Sequence, residues 1–413
     1  MNRKKIIGVF LGCLFSLLSP ENGSAMERET EDEVKTKKPS FISLDTKGGW
    51  VFPTNDFVSG KNKIPYYSSI SLKYGRGSDG DSWDDKAYGM PYYGIGFYSA
   101  NFFDKKDLGL PFALYLFQGA TVRRFNPKWA LNYEWNLGMS FNWDPYDPFD
   151  NPNNVALGSS VNVYVAGSMY MKYYINEAFD LNMGVSLTHF SNGAYRLPNK
   201  GLNLVAPYLE LVYNINRPKS IVLSESEMEP PEIEKHIVHD VMFTITSRQI
   251  RFDTTGTGLP SRYIDRQFKV FGLSYAPMIV NSYKYRWGPS FEFVYDESSD
   301  ARAWREKHPV DGMYYDRVEL GSVWKRFSCG VSLKGEITMP RISIFANFGY
   351  NLLHGNEYDY RFYQIMGVKA YLKENLFGTF GIRASRFSKA QYLYWSLGYS
   401  FDGKPFKKKK NKG

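Results

Sequence analysis

The strongest constraint on the fold of this chain is a strict alternation of side chains over residues 131–142. Every second residue there is large and apolar, and the residues between them are small or polar. A period of two indicates a β-strand whose two faces meet different surroundings. Residues 160–169 and 392–401 alternate less regularly, and short clusters of Gly, Asn, Asp and Pro separate many such runs. The pattern is typical of an antiparallel, up-and-down arrangement of strands. The apolar face of the first run comprises Leu131, Tyr133, Trp135, Leu137, Met139 and Phe141.

Aromatic residues indicate where such apolar faces lie. The chain contains 32 Tyr, 30 Phe and 9 Trp, and this loading fits barrels whose lipid-facing bands are bordered by aromatic girdles. After residue 25, no stretch approaches the roughly 20 apolar residues that a membrane-spanning helix needs. A secreted soluble β-sandwich would also alternate, but the aromatic content and the repeated strands of about ten residues favour a membrane barrel. We therefore predict an all-β protein, built as an antiparallel transmembrane β-barrel.

The N-terminal residues predict export. Three basic side chains precede an apolar run over residues 6–18, which ends near the small residues 23–25. This arrangement is that of a secretory signal peptide, and we expect cleavage after Ala25. A lipoprotein signal with Cys13 as the lipidated residue is the alternative. An exported barrel protein of this kind is expected in the outer membrane of a Gram-negative bacterium.

The mature chain divides into two halves. Residues 26–40 are charged and poor in apolar side chains, which predicts a mobile lead-in. About eight strand-like runs occupy residues 41–216, and a second set of about eight occupies residues 241–403. Between them, residues 217–240 are rich in Glu and Pro and are predicted to be a linker. We expect two tandem eight-stranded halves, with a single barrel of about sixteen strands as the alternative, followed by a basic tail at residues 404–413.

Charge gives little support to a nucleic-acid partner. Removal of residues 1–25 takes away three basic side chains and one acidic side chain, and it lowers the formal net charge from +9 to +7. Much of the remaining excess lies in the tail at residues 404–413, where a solvated segment is the favoured interpretation. Nucleic-acid binding would require basic residues spread over a folded face with stacking aromatics. We expect no such partner.

The usual metal and cofactor motifs are missing from the sequence. Only Cys329 remains after cleavage, so the mature chain can form neither an intramolecular disulfide nor a cysteine metal cluster. His236 and His239 lack a further ligand at a known spacing, and the aspartates at 144–150 lie among prolines, which favours a rigid loop over a calcium site. The sequence has no Gly-x-Ser-x-Gly elbow, P-loop or Cys-x-x-Cys motif. We predict no metal and no cofactor.

His189 and Ser191 depart from the general barrel pattern. Over residues 183–191 they continue the face of the apolar side chains at 183, 185 and 187, so both should face lipid. Residues i and i+2 lie about 6.6 Å apart along a strand, so a His ring and a Ser hydroxyl on one face can form a hydrogen bond. Such a pair could attack an ester held in the membrane. The alternative is an interfacial His and Ser that only contact headgroups.

The surrounding sequence adds a resemblance. Thr-His-Phe-Ser-Asn-Gly-Ala at 188–194, followed by Leu-Pro-Asn-Lys-Gly-Leu-Asn at 197–203, resembles the lipid A 3-O-deacylase family of outer-membrane acyloxyhydrolases. Tyr-Gly-Ile-Gly-Phe at 93–97 and residues 141–148 are also similar to bacterial members, particularly those of Bacteroides type, and the resemblance covers most of residues 41–216. It implies an outer-membrane esterase that removes an ester-linked acyl chain from lipid A. Lipid A or lipopolysaccharide is then the expected substrate, with outer-membrane lipids around it.

The resemblance also implies roles for individual residues. Ser191 would be the nucleophile and His189 the general base, with Asn192 or Asn199 and nearby backbone amides as candidates for the oxyanion hole. The family carries a Glu twelve residues after the Ser, and in this chain Asn203 occupies that position. Asn can orient a His through a hydrogen bond, but it cannot stabilise an imidazolium by charge. Slower or differently tuned hydrolysis follows from this substitution.

Glu210 is the nearest carboxylate downstream of the family motif. It falls in the next predicted strand, 208–215, and the sequence gives no assurance that it reaches the histidine.

The two halves also align with each other. The segments that begin at residues 172 and 369 share a Lys, a Tyr, a Glu and a Gly at equal spacings, which predicts an internal duplication. In this alignment Arg386 stands where the first half has His189, and arginine cannot act as a base because it stays protonated. The second half is therefore predicted to be non-catalytic.

Two other functions fit the same sequence. One is a pore or structural barrel, in which the His and Ser have no chemical role. The other is an outer-membrane phospholipase that uses the same pair of residues on glycerophospholipids.

Overall fold

The computed structural model describes residues 39–60, 64–80, 82–217, 233–250, 266–339, 342–355 and 359–405. The predicted signal peptide lies outside the described residues, as do most of the predicted lead-in, linker and basic tail. The described residues fold almost entirely as antiparallel strands, and these strands close into two separate eight-stranded barrels. The prediction of an all-β protein with two tandem eight-stranded halves is therefore confirmed, and the alternative of one larger barrel is wrong.

The first barrel is an up-and-down meander in which each strand pairs with the next and the last pairs with the first. Short, turn-forming connections such as residues 127–128 alternate with longer ones such as residues 144–161. Its strands are β1 (Ser40–Val51), β2 (Tyr66–Gly77), β3 (Tyr92–Asn101), β4 (Gly109–Asn126), β5 (Trp129–Trp143), β6 (Asn162–Tyr174), β7 (Phe179–Ser191) and β8 (Leu202–Ile215).

The second half contains ten described strands, of which eight close the barrel and two form a separate hairpin. The hairpin consists of β12 and β13 and lies between β11 and β14 in the chain. The strands are β9 (His236–Arg248), β10 (Phe268–Val280), β11 (Tyr285–Asp296), β12 (Arg302–Lys307), β13 (Tyr314–Glu319), β14 (Phe327–Thr338), β15 (Ile342–Leu353), β16 (Phe362–Tyr371), β17 (Leu376–Ser385) and β18 (Lys389–Pro405). Because β9 begins at His236, the predicted linker 217–240 is too long at its C-terminal end.

In the part of the chain that the structure describes, helices are short and lie in the connections between strands. They are α1 (Asp56–Ser59), α2 (Trp83–Ala87), α3 (Lys105–Leu108) and one 3₁₀ turn (Val323–Arg326). Among the described residues, no helix has both the length and the apolar character needed to cross a membrane.

Strand alternation sorts the side chains of the first barrel into an apolar exterior and a polar interior. On β1, Leu44 is 51% exposed and the next residue, Asp45, is 3% exposed. On β2, Leu72 is 54% exposed and Lys73 is 2% exposed. Because charges lie inside and large aliphatic side chains lie outside, the strands have the polarity of a transmembrane barrel.

The interior of the first barrel is filled with paired charges. The Nζ of Lys73 lies 2.8 Å from Oε1 of Glu134 and 2.7 Å from Oε1 of Glu210. The hydroxyl of Ser43 donates to Glu210, and Lys47 pairs with Asp45 at 2.6 Å. A buried charge is costly unless it is paired and hydrogen-bonded, and each of these charges has a partner.

Aromatic rings fill the barrel between these charges and the end at which β7 terminates. Tyr98, Tyr115 and Tyr164 are buried, and the ring of Tyr164 lies 5.1 Å from each of the other two rings. Phe190 packs on Tyr164 and on Trp143. This lumen is a packed core, as expected for a barrel of only eight strands.

The second barrel has a similar polar interior. Lys369 pairs with Asp240 at 2.7 Å, and Arg383 pairs with Glu292 and donates to Asn351 at 3.0 Å.

The two barrels contact each other near the end at which the chain enters the first one. There, Tyr88 donates to the carbonyl of Tyr283 at 2.7 Å, and the hydroxyl of Tyr133 lies 3.8 Å from Sδ of Met339. Tyr133 belongs to the outward row on β5, which is half-buried along residues 131–141. The sequence predicted that this row faces lipid, but protein covers part of it.

The hairpins β6–β7 and β16–β17 have matching registers. Gly184 lies opposite Tyr170 in the first, and Gly381 lies opposite Gly367 in the second, with the same separation along the chain. This agreement is what a duplication would produce, and the duplication itself stays a prediction.

Candidate active site

The predicted site residues lie at the end of the first barrel opposite to the end at which the chain enters and leaves it. This end carries the β1–β2, β3–β4, β5–β6 and β7–β8 connections. His189 and Ser191 are the third-last and last residues of β7, and Asn203 is the second residue of β8. All three are half-buried and lie on the outward face. Beside them, Leu187 on β7 is 56% exposed and Val165 on β6 is 42% exposed.

The three side chains form a continuous chain of hydrogen bonds. Nδ1 of His189 lies 2.7 Å from Oδ1 of Asn203, and Nε2 of His189 lies 2.9 Å from Oγ of Ser191. Because Oδ1 can only accept, Nδ1 carries the proton and Nε2 is free to accept one from the serine hydroxyl. The three side chains therefore have the hydrogen-bonding arrangement that a nucleophile, a base and an orienting group have in a catalytic triad.

The register of the sheet explains this arrangement. His189 lies directly opposite Asn203 in the β7–β8 ladder, and side chains of directly opposed residues on one face approach each other closely. Ser191 follows two residues along β7, so it lies on the same face. Strand pairing thus brings Asn203 next to His189, although the β7–β8 connection separates them in the sequence.

The β1–β2 connection supports the site from the other side. Nδ2 of Asn203 donates to Oγ1 of Thr54 at 3.1 Å, which fixes the amide so that its oxygen faces the histidine. The neighbouring Asn55 caps α1 and also donates from Nδ2 to the carbonyl of Gly201 at 3.0 Å. Sequence reasoning missed Thr54 and Asn55, because no local pattern marks them.

Gly201 lies directly against the histidine ring. Its φ is +72°, and a Cβ placed on it would lie 2.8 Å from Cε1 of His189. Any larger residue at this position would push on the imidazole and would strain the backbone.

The β7–β8 connection, residues 192–201, contains both oxyanion candidates. The backbone N–H of Asn192 donates to Oδ1 of Asn199 at 2.9 Å, and Oδ1 of Asn192 accepts from the N–H of Arg196 at 3.1 Å. Asn192 is 3% exposed, and within the described part of the chain its Nδ2 makes no hydrogen bond. Because this amide N–H is buried and unpaired in the residue after Ser191, Asn192 stays a candidate for the oxyanion hole.

The other titratable candidates lie elsewhere. Glu210 points into the first barrel, where it pairs with Lys73, so it is on the opposite face of β8 from Asn203. His236 contacts the carbonyl of Glu234, and His239 contacts the hydroxyl of Tyr275. Glu210 therefore does not replace the family's Glu.

The acidic β5–β6 loop is ordered by its own backbone. The carboxylate of Asp147 accepts N–H groups from Phe149 at 2.8 Å and Asp150 at 3.0 Å. The N–H groups of Asp150 and Phe149 hold the pKa of the Asp147 carboxyl below its ordinary value. This is the rigid turn that the sequence favoured.

The corresponding position in the second barrel has no such chemistry. Arg386 lies beyond the end of β17, and its guanidinium stacks on the ring of Tyr360 at 3.6 Å. Ser388 donates to the carbonyl of Arg386 at 3.3 Å.

Family models match both halves of the chain. Residues 69–211 match the model described as lipid A 3-O-deacylase (PagL), and residues 240–404 match the model described as acyloxyacyl hydrolase, C-terminal domain. Together the two ranges take in more than half of the chain. The chain belongs to the lipid A 3-O-deacylase family. The predicted resemblance to this family is thereby confirmed, while the similarity to members of Bacteroides type stays a prediction. The deacylase family places this chain among the carboxylic ester hydrolases.

Three solved structures can be compared with this deacylase-family chain. The crystal structure of the outer membrane enzyme PagL shares 16% identity, with a TM-score of 0.27, over 41% of this chain and 97% of that chain. The siderophore receptor PirA from Acinetobacter baumannii shares 8% identity, with a TM-score of 0.25, over 84% of this chain and 56% of that chain. The siderophore receptor PirA from Pseudomonas aeruginosa shares 9% identity, with a TM-score of 0.22, over 89% and 81%. No curated protein matches the chain.

Proposed function

We propose that this protein hydrolyses the 3-O-linked acyl ester of lipid A in the outer membrane, with Ser191 as nucleophile, His189 as general base and Asn203 as the residue that orients the base. The observation that carries the proposal is the hydrogen-bonded chain of these three residues on the outward face of β7 and β8. A serine and histidine there are within reach of an ester that never leaves the membrane. Family membership supplies the substrate class.

The direction of the barrel supports a site in the outer leaflet. An exported chain enters its barrel from the periplasm, and in bacterial outer-membrane barrels the longer loops face the outside. The chain enters at Ser40 and leaves at Ile215, and both lie at the end opposite to Ser191. Lipid A occupies the outer leaflet, so its ester groups lie on the same side of the membrane as the site.

Acylation of the enzyme is the first half of the reaction. As Oγ of Ser191 forms a bond to the acyl carbonyl carbon, its proton moves to Nε2 of His189 and the carbonyl oxygen takes up an electron pair. Nδ2 of Asn192 is the proposed donor to this oxyanion. The bond to the sugar oxygen then breaks, and that oxygen leaves with the proton from His189.

Hydrolysis of the acyl-serine completes the cycle. His189 removes a proton from water as the water oxygen attacks the acyl carbon. The fatty acid leaves, and Ser191 recovers its proton. Every proton moves between Ser191, His189, the sugar oxygen and water, so the chemistry needs no cofactor.

A pore fits the first barrel poorly. Its lumen is occupied by buried tyrosine rings and by the charge cluster around Lys73, whereas channels need wider barrels with open interiors.

Mass spectrometry of lipid A distinguishes this proposal from the alternatives. Cells that produce the full-length protein are expected to contain lipid A that lacks one 3-hydroxyacyl group, while cells without it keep the intact form. Accumulation of lysophospholipid with intact lipid A would show a phospholipase instead, and unchanged lipids in a correctly assembled preparation would contradict an enzymatic role.

Asn203 is expected to act through its side-chain oxygen. Asn203→Ala removes the acceptor for Nδ1 of His189 and should lower kcat by about 10²-fold. Asn203→Glu should preserve or raise kcat, because a carboxylate both orients the ring and stabilises the imidazolium by charge. The hydroxyl of Thr54 can turn to donate to the carboxylate. Steady-state deacylation of lipid A in detergent micelles measures both rates, and equal rates for wild type and both variants would remove Asn203 from the mechanism.

A further inference from the structure

The second barrel holds the loop that carries the oxyanion candidates. The backbone N–H of Gln249 donates to the carbonyl of Ala194 at 3.1 Å, and the N–H of Leu197 donates to Oε1 of Gln249 at 2.9 Å. Nε2 of Gln267 donates to the carbonyl of Tyr195 at 2.7 Å. These three hydrogen bonds all join residues of the β7–β8 connection to residues at the ends of β9 and β10.

Gln249 makes hydrogen bonds to the β7–β8 connection at two points. Its main chain and its side chain hold two peptide groups, at Ala194 and Leu197, on either side of a tight stretch of backbone. The residue is 3% exposed, so water does not compete strongly for these hydrogen bonds. Losing its side-chain oxygen would leave a loop N–H without its acceptor.

The position of Gln249 is itself fixed within the second barrel. It follows Arg248, the last residue of β9, whose guanidinium pairs with Asp296 at 3.4 Å and also with both carboxylate oxygens of Asp359. Ile250, the next residue, is buried in a cluster with Phe268. The side-chain oxygen of Gln249 therefore lies at a strand end that is fixed by ion pairs and by packing.

The loop has a conformation that needs such support. Gly193 and Ala194 both have left-handed backbone, with φ of +60° and +62°. A non-glycine residue in this region of backbone conformation is strained and persists only where the surroundings enforce it. The second barrel also limits the space, because a Cβ on Gly193 would lie 2.5 Å from Cδ2 of Leu393.

We propose that the second barrel acts as a template for the β7–β8 connection, which means that it holds the backbone of this connection in its conformation. We also propose that Gln249 is a positioning residue for the ester hydrolysis. This inference rests on the proposed function, because it assigns Gln249 an effect on the reaction through Asn192 and Asn199. By holding Ala194 and Leu197, Gln249 fixes the segment that links these two asparagines and keeps them beside Ser191. The second half contributes no reacting group, and yet the first half depends on it for its rate.

The test replaces Gln249 in the full-length protein. Gln249→Met keeps the volume but removes the acceptor, and it is expected to lower kcat about 10- to 100-fold with little change in KM, since a displacement of about 1 Å at a reacting centre has effects of this size. Gln249→Glu keeps an acceptor for the N–H of Leu197 and should restore kcat toward the wild-type value. Gln364→Met is the matched control: Gln364 is also buried and accepts a backbone N–H, but from Phe387 within the second barrel. Its kcat should stay near that of wild type.

The outcomes separate this inference from the proposed function. Ser191→Ala, measured alongside, must be inactive for the serine mechanism to stand. If Ser191→Ala is inactive while Gln249→Met keeps wild-type kcat, the positioning role is wrong and the mechanism survives. If Gln249→Met fails to show the heat-dependent gel mobility of an assembled barrel, Leu393→Ala replaces it, since it removes the side chain that limits the space at Gly193 and should lower kcat in the same way. An assembled Leu393→Ala protein with wild-type kcat would overturn the template role of the second barrel.

Discussion

Ser191→Ala and His189→Ala are each expected to lower the rate of lipid A deacylation at least about 10⁴-fold, the range found when a serine-hydrolase triad loses its nucleophile or its base. The serine variant has no atom to form the acyl intermediate, and the histidine variant has no base 2.9 Å from the serine hydroxyl. Both side chains are half-buried on the outward face, so they contribute little packing and the barrels should assemble normally. Initial rates with purified lipid A, together with heat-dependent gel mobility, measure activity and assembly separately.

Ser388→Ala is the matched control for these variants. Ser388 occupies the aligned position in the second barrel, but within the described structure its hydroxyl contacts only the carbonyl of Arg386. Its rate should equal that of the wild type. Full activity in both Ser191→Ala and His189→Ala would show that this is not the active site. Loss of activity in Ser388→Ala would contradict the proposal that the second barrel contributes no reacting group.

Asn192→Ala is expected to lower kcat by about 10²- to 10³-fold, with KM nearly unchanged, as for the loss of one oxyanion-hole donor. Its Nδ2 is buried without a partner in the described structure, so the protein bears the cost of that unpaired group in the resting state. A donor of this kind gains its partner only when the tetrahedral oxyanion forms, and it therefore acts on the transition state more than on substrate binding.

Asn192→Asp provides a sharper comparison, because it keeps the shape and replaces the donor by a negative charge. It should be slower than Asn192→Ala, since the carboxylate repels the developing oxyanion. Asn162→Ala is the control, because Asn162 is a buried asparagine at the same end of the barrel that also has an unpaired amide atom. If the alanine and aspartate variants of Asn192 both retain wild-type kcat, another group stabilises the oxyanion.

Most of the fold could be predicted from the alternation of side chains along the strands. The period-two pattern on residues 131–142 indicated which side chains point outward, and the same rule placed His189 and Ser191 on one face of β7. It was less successful where interior charges interrupt the pattern. Residues 236–240 were included in a linker predicted from its Glu and Pro content and its weak periodicity, but Asp240 belongs to a strand and pairs with Lys369 inside the second barrel. The β12–β13 hairpin was missed for a related reason, since only the strands that close a barrel were expected.

The candidate site was predictable where it depends on local sequence and on family spacing. Asn203 was identified by its distance from Ser191 in the sequence, and the β7–β8 register explains why that distance places it opposite His189. Alternation on β8 also explains why Glu210 is excluded, since it lies an odd number of residues after Asn203 and so faces the lumen. Thr54 and Gln249 could not be found in this way. Each meets the site through a contact between distant parts of the chain, and no local pattern encodes which loop a barrel will touch.

The partly covered row on β5 has a consequence for how substrate arrives. An amphiphile anchored in a leaflet searches in two dimensions, and an isolated barrel with its site on the outer wall can be approached from a wide arc. Here the loop beside Ser191 lies close to Leu393 of the second barrel, while Leu187 on β7 and Leu209 on β8 have exposed side chains that acyl chains can contact. For the proposed reaction, we therefore expect productive encounters from the sector of the membrane plane that the second barrel leaves open. The tandem arrangement would then give the lateral approach of substrate a defined direction.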